Sequence, residues 1–233
     1  MRHVNTVAAL SGPLVLLGYL ASSAVYVWLR RLPEPRFPGP ESVRRTLPYA
    51  VPEALTAVAV VTLAWHAVLV VAPGNSGFVI DAPSGVGYLS SQVLAVWESV
   101  ALWTGLAAIV GHAAPLGRRF RHGGSGLPPA FAIAFIHLPW ALVVGIFSWF
   151  AAFWLGGSPR RAIPVALGAV LTFEWLAWWN DWPAAWGTDH GPELTLWTMV
   201  ACGALVTRWA RGDVPATLGA TEPPADIDPT PDG

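Results

Sequence analysis

Residues that can bind phosphate are concentrated in one short segment of this chain, 111–126, which reads GHAAPLGRRFRHGGSG. Arginine binds phosphate through a planar fork of N–H donors. A glycine-rich turn before a helix lets backbone N–H groups face an anion. The segment combines both features with two histidines, and it therefore predicts a site for a phosphate group.

The candidate site residues fall into two sets. His112 and Arg121 are the expected catalytic residues. The expected phosphate-binding residues are Arg44, Arg45, Gly123, Gly124, Ser125, Gly126 and Arg208. The alternative for the arginines is that they only orient a membrane protein, since cytoplasmic loops are rich in basic residues by topology alone.

The composition is that of a polytopic membrane protein. Of the 233 residues, 54% are hydrophobic and only 12% are charged, whereas a soluble domain carries about 25% charged residues. The one cysteine, Cys202, excludes an intramolecular disulfide and a cysteine-based metal cluster. We therefore expect no metal site.

The elements that must position the site are apolar segments of membrane-spanning length, roughly 20 residues each. Full spans are predicted at about 7–29, 49–72, 88–110, 162–179 and 193–209. The segment 127–155 is divided by Pro139, which breaks or kinks a helix. The predicted fold is an all-α membrane domain, 1–213, with five full transmembrane helices and two half-length ones. The tail, 214–233, is rich in Pro, Asp and Thr and is expected to be disordered.

The arginines predict the orientation of these helices. Loops 30–48, 111–126 and 156–161 contain arginines, whereas loops 73–87 and 180–192 contain none. Arginine-rich loops stay cytoplasmic. If 127–155 enters the membrane and returns, every arginine-rich loop lies on one side. We therefore expect an external N-terminus, a cytoplasmic C-terminus and a multi-pass protein of the cell (plasma) membrane.

The segment 111–126 also resembles the second signature of the bacterial acyl-phosphate-dependent glycerol-3-phosphate acyltransferases, the PlsY type. That signature reads approximately Gly-His-x-x-Pro, four residues, then Phe-x-Gly-Gly-Lys-Gly. The residues in register are Gly111, His112, Pro115 and Phe120. Gly123, Gly124 and Gly126 follow with a one-residue shift, and Ser125 stands where the family has lysine.

Two weaker similarities lie elsewhere in the chain. Residues 42–47, SVRRTL, match only the end of the first signature, whose glycine and serine core is replaced here by FPGPE. Residues 208–213, RWARGD, keep the arginine and glycine of the third signature, with an acid one place early. The resemblance is convincing in sequence only over 105–126.

The resemblance implies a seven-helix fold and a reaction. Members of the family transfer an acyl group from acyl phosphate to the 1-hydroxyl of glycerol 3-phosphate, through positioning and charge stabilisation and without a Ser-His-Asp triad. It implies that this chain binds membrane lipid, acyl phosphate and a phosphorylated polyol. Arg121 or Arg119 would supply the charge of the missing lysine. The alternative is a non-catalytic membrane protein of the same fold that binds a lipid headgroup or a partner enzyme.

Other polar residues give weaker signals. Glu53 is expected near a helix start, where an acid is favoured by the helix dipole. For Glu98 and Glu174 a functional role stays as open as the alternative, which is pairing with an arginine or a position near the interface. His66 and His137 are expected to be packed or hydrogen-bonded. Walker, dinucleotide-binding and nucleic-acid motifs are absent from the sequence, so we expect no cofactor and no nucleic-acid partner.

Overall fold

The computed structural model describes residues 2–31, 41–71, 96–116, 123–155, 158–182 and 190–211. These residues form seven α-helices and no strand. The helices are α1 (Arg2–Leu29), α2 (Glu41–Val71), α3 (Val96–Ala113), α4 (Leu127–His137), α5 (Pro139–Trp154), α6 (Pro159–Trp179) and α7 (Pro192–Ala210).

Three of the described helices are long and apolar enough to cross a membrane. The spans are Ala9–Leu29, Pro48–Val68 and Arg161–Trp179. Helices α4 and α5 are shorter apolar helices. The predicted all-helical membrane class is confirmed at this level.

The predicted division of 127–155 at Pro139 is also confirmed. Leu138 interrupts the helix with φ −133° and ψ 50°, and Pro139 is the first residue of α5. Proline suits this position because it has no N–H to contribute to a preceding turn. The result is two separate short helices.

Side-chain contacts show that α1 and α3 run in the same direction. Gly18 of α1 lies against Thr104 of α3. Further along both helices, the Leu116 N–H donates to Ser23 Oγ at 2.9 Å. The later residue of α1 therefore contacts the later residue of the second segment, which means that the two helices are parallel.

Helix α7 is parallel to α3 as well. Near its start, Glu193 accepts a hydrogen bond from Trp103 Nε1 at 2.8 Å. At its other end, Arg208 contacts Gly124, which follows α3 in the chain. We call this end of the bundle, defined by His112, Gly124 and Arg208, the His112 end. The opposite end, defined by Glu174 and His190, is the Glu174 end.

The pair α4 and α5 begins and finishes at the His112 end. Gly126, just before α4, hydrogen-bonds to His112, and Ile133 lies against Gly105 on α3, so α4 is antiparallel to α3. Helix α6 is antiparallel to α7, because Leu167 meets Cys202 and Glu174 meets His190. Helix α5 joins α6 through a short loop and packs on it at Gly145. It therefore returns to the end from which α4 departs.

The position expected for Glu53, near a helix start, is wrong. Helix α2 starts at Glu41 and contains Pro48 and Pro52, although its apolar span, Pro48–Val68, begins where the sequence predicts one. Prolines are tolerated inside membrane helices because neighbouring groups satisfy the freed backbone acceptors. Glu53 therefore lies well inside the helix and does not cap its start.

Some predictions lie outside the described residues. These are the first part of the predicted span 88–110, the tail 214–233, and the loop residues Arg118, Arg119, Phe120, Arg121 and His122.

Candidate functional site

A buried carboxylate–imidazole pair joins α2 and α3 at the His112 end. Glu53 Oε2 lies 3.0 Å from His112 Nε2, and the two residues are 3% and 1% exposed. The two atoms are in polar contact, although the N–H direction is not aligned as in a linear hydrogen bond. The ring of Tyr26 meets the imidazole edge-on, with 4.9 Å between centroids. Glu53 thus brings a buried acid to the predicted site.

The glycine turn closes around His112. The Gly124 N–H donates to the His112 carbonyl at 2.9 Å, and the Gly126 N–H donates to His112 Nδ1 at 3.0 Å. A Cβ on Gly124 would lie 1.9 Å from His112 Cε1, and one on Gly123 would lie 2.0 Å from Ala113 O. Gly126 has φ +77°, in the left-handed region that favours glycine. Glycine is therefore required at these positions by contact and conformation.

These contacts bear on the prediction that the glycine turn binds an anion through its N–H groups. The N–H groups of Gly124 and Gly126 already have acceptors on His112. Ser125 uses its Oγ to accept the Leu127 N–H at 3.2 Å. The phosphate-binding role of this turn stays a prediction, and the turn has a second role in holding the imidazole.

Arg208 brings the last helix to the same turn. Its side chain is buried, and Nη2 donates to the Gly124 carbonyl at 3.4 Å. The described structure therefore brings together the predicted site residues His112, Gly123, Gly124, Ser125, Gly126 and Arg208. Arg121 lies outside the described residues, as do the side chains of Arg44 and Arg45, whose backbone lies in α2.

Sequence reasoning did not assign Glu53 or Tyr26 to the site. An acid inside a membrane helix is a functional candidate because it is costly in lipid. That signal was missed for Glu53 because the start of α2 was placed too late. Tyr26 has no comparable signal, since an aromatic residue near a helix end is typical of a membrane interface.

A second buried pair lies at the Glu174 end. His190 Nδ1 and Glu174 Oε2 are 3.0 Å apart, and Glu174 is fully buried. Phe173 meets the His190 ring edge-on at 5.9 Å between centroids. Of the two readings left open for Glu174, the structure supports pairing, with a histidine as the partner.

His66 and His137 match the expectation that they are packed or hydrogen-bonded. His66 Nδ1 is hydrogen-bonded to Thr62 O at 2.8 Å, and His137 is buried. Within the described ranges, no three His, Cys, Asp or Glu side chains are grouped so that they could hold a metal ion.

Comparison of the chain with protein-family models, curated proteins and solved structures gave no match.

Proposed function

We propose that this protein is a divergent membrane acyltransferase of phospholipid synthesis, moving an acyl group from acyl phosphate to glycerol 3-phosphate. The observation that supports it most is the contact of Arg208 with Gly124. These two residues belong to the segments that resemble the third and second signatures of the acyltransferase family. The two segments meet beside the buried His112, as residues of one substrate site must.

The segment that resembles the first signature lies on a helix that also contributes to the His112 end. Residues 42–47 lie in the first turns of α2, and the same helix carries Glu53, the partner of His112. Three regions that are distant in sequence thus contribute to the His112 end. In the proposed site, Arg44, Arg45, Arg121 and Arg208 bind the phosphate groups.

The proposed reaction needs no covalent enzyme intermediate. The acceptor hydroxyl oxygen attacks the acyl carbon, the acyl–oxygen bond to phosphate breaks with its electron pair on the phosphate, and the hydroxyl proton passes to the leaving phosphate. Arginines that bind phosphate also stabilise the charge on this leaving group. His112 suits a positioning role here, because Gly126 occupies Nδ1 and Glu53 lies at Nε2.

The proposed arrangement in the membrane has five full spans and two half-length helices. The N-terminus is external, the C-terminus is cytoplasmic, and the membrane is the plasma membrane. The arginine distribution supports this arrangement. Helix α4 departs from the His112 end and α5 returns to it, and with this return every arginine-rich loop is expected on the same side of the membrane.

Complementation tests the proposal. A bacterial strain that lacks its acyl-phosphate-dependent glycerol-3-phosphate acyltransferase is transformed with the full chain, with the Arg208→Ala variant and with an empty vector. We expect growth with the wild-type chain and loss of growth with Arg208→Ala at equal membrane abundance. Failure of the abundant wild-type chain to restore growth would count against the proposal.

A second candidate function is favoured by the hydrogen bonds of the glycine turn. The Gly124 and Gly126 N–H groups are engaged by His112, which suits a structural turn in a non-catalytic protein that binds a lipid headgroup or a partner enzyme. This candidate predicts binding of the purified chain to phosphatidate-containing vesicles without product formation from acyl phosphate and glycerol 3-phosphate.

A further inference from the structure

Arg30 contacts two buried aromatic rings at the His112 end. Its guanidinium carbon lies 4.8 Å from the ring centroid of Tyr49 and 5.3 Å from that of Tyr26. Arg30 directly follows the last residue of α1, and its backbone N–H donates to Tyr26 O at 3.3 Å. The arginine side chain is exposed, whereas both tyrosines are buried.

The contacts of Arg30 with Tyr26 and Tyr49, which we call the clamp, restrict the conformations of an exposed arginine side chain. A surface arginine normally samples many rotamers and loses that freedom when it binds a ligand. A guanidinium stacked on aromatic rings is already oriented, and its N–H donors lie around the edge of its plane. An oriented planar fork is the geometry that binds phosphate through two hydrogen bonds.

The clamp is built on the residues that form the candidate site. The Tyr26 ring contacts the His112 imidazole. Tyr49 lies four residues before Glu53 on α2, which is the spacing of side chains on one helix face. One aromatic ring therefore separates Arg30 from the buried pair.

We propose that Arg30 binds the phosphate of the phosphorylated polyol substrate and that Tyr26 and Tyr49 position it. The proposal rests on the proposed function for the identity of the ligand. It adds an arginine from the end of α1 to a site otherwise built from α2, the glycine turn 123–126 and α7.

The next residue in the chain provides a matched control. Arg31 is exposed, lies in the same turn and carries the same charge. An effect of overall positive charge, of orientation in the membrane or of the α1 helix dipole would appear at both arginines. Arg30 differs from Arg31 in its contacts with the Tyr26 and Tyr49 rings and in the proposed ligand contact.

The deciding experiment is calorimetric titration of glycerol 3-phosphate into the full chain in lipid nanodiscs at a fixed ionic strength of about 0.15 M, where the Debye length is about 8 Å. We expect Arg30→Ala to raise Kd about tenfold or more, which is the effect of losing a charge-assisted pair of hydrogen bonds. Arg31→Ala should change Kd less than about twofold, because exposed charges are screened. Equal Kd values for Arg30→Ala and wild type would overturn the role of Arg30.

Two further variants test the clamp. Tyr49→Phe keeps the ring and should keep Kd, whereas Tyr49→Leu should raise Kd about two- to fivefold through loss of a cation–π contact. Equal Kd values for these two variants would overturn the positioning role of the ring. If the folded wild-type chain does not bind glycerol 3-phosphate, the proposed function and the Arg30 assignment both fall. Binding that is insensitive to Arg30→Ala removes the Arg30 assignment alone.

Discussion

Glu53 and His112 form a buried pair, with Oε2 and Nε2 3.0 Å apart. Because His112 Nδ1 accepts the Gly126 N–H, a neutral imidazole must carry its proton on Nε2, facing the carboxylate. Glu53 thereby favours the tautomer that can hold the glycine turn. The pair links α2, α3 and the turn before α4.

Removal of the carboxylate should destabilise the protein. Glu53→Leu leaves the His112 Nε2–H buried beside an apolar side chain, and a buried donor left without an acceptor costs about 1–3 kcal/mol. Glu53→Gln keeps an acceptor oxygen at this position and should cost less. Thermal unfolding of the purified chain in detergent measures both.

Leu55→Ala is the control for these variants. Leu55 lies on the same helix and is 61% exposed, so its truncation opens no buried cavity and should have a small effect. Equal unfolding temperatures for Glu53→Leu and Leu55→Ala would show that the pair does not contribute to stability.

Gly124→Ala should be destabilising and should depend on His112. The added Cβ would lie 1.9 Å from His112 Cε1, and overpacking of this kind costs typically about 1–3 kcal/mol. In a His112→Ala background the clash disappears, so a double-mutant cycle should show a coupling of similar size. Gly203→Ala, which has no atom within 4 Å of the added Cβ, should be neutral or slightly stabilising. Additive single effects would contradict this packing.

Gly18→Ala should weaken the packing of α1 on α3. A Cβ on Gly18 would lie 2.5 Å from the Thr104 carbonyl oxygen, whereas one on Gly12 of the same helix meets nothing within 4 Å. Small residues permit this close approach of helices in a membrane. The unfolding temperature should fall for Gly18→Ala and stay unchanged or rise for Gly12→Ala, and the reverse order would contradict the parallel α1–α3 contact.

The second buried pair gives a prediction with a rescue. Glu174→Leu leaves His190 buried without its carboxylate and should lower the unfolding temperature. Replacement of both residues by leucine should recover much of the loss, because an apolar pair leaves no unpaired polar group. A double variant that is as unstable as Glu174→Leu would contradict this account of the pair.

The sequence was sufficient for features that depend on local chemistry. The apolar spans and the break at Pro139 follow from residue type and spacing. The pairing of Glu53 with His112 could not be predicted, because it depends on which faces of α2 and α3 meet. The rotation of each helix depends on the packing of the whole bundle.

The glycine turn illustrates the same limit within the site. Gly123, Gly124 and Gly126 were predicted to serve a ligand because glycine permits close approach. Close approach is present, but the approaching groups are the His112 imidazole and the Ala113 carbonyl. The sequence shows that these positions need glycine, but it does not show which atom lies close to them.

The most direct test of the central claim is product formation by the purified full chain in nanodiscs, with an acyl phosphate and radiolabelled glycerol 3-phosphate as substrates. We predict formation of lysophosphatidate, a loss of about tenfold or more for Arg208→Ala, and a change of less than about twofold for the exposed control Arg211→Ala. Absence of product from the folded wild-type chain, or equal rates for wild type and Arg208→Ala, would contradict acyl transfer at the His112 end.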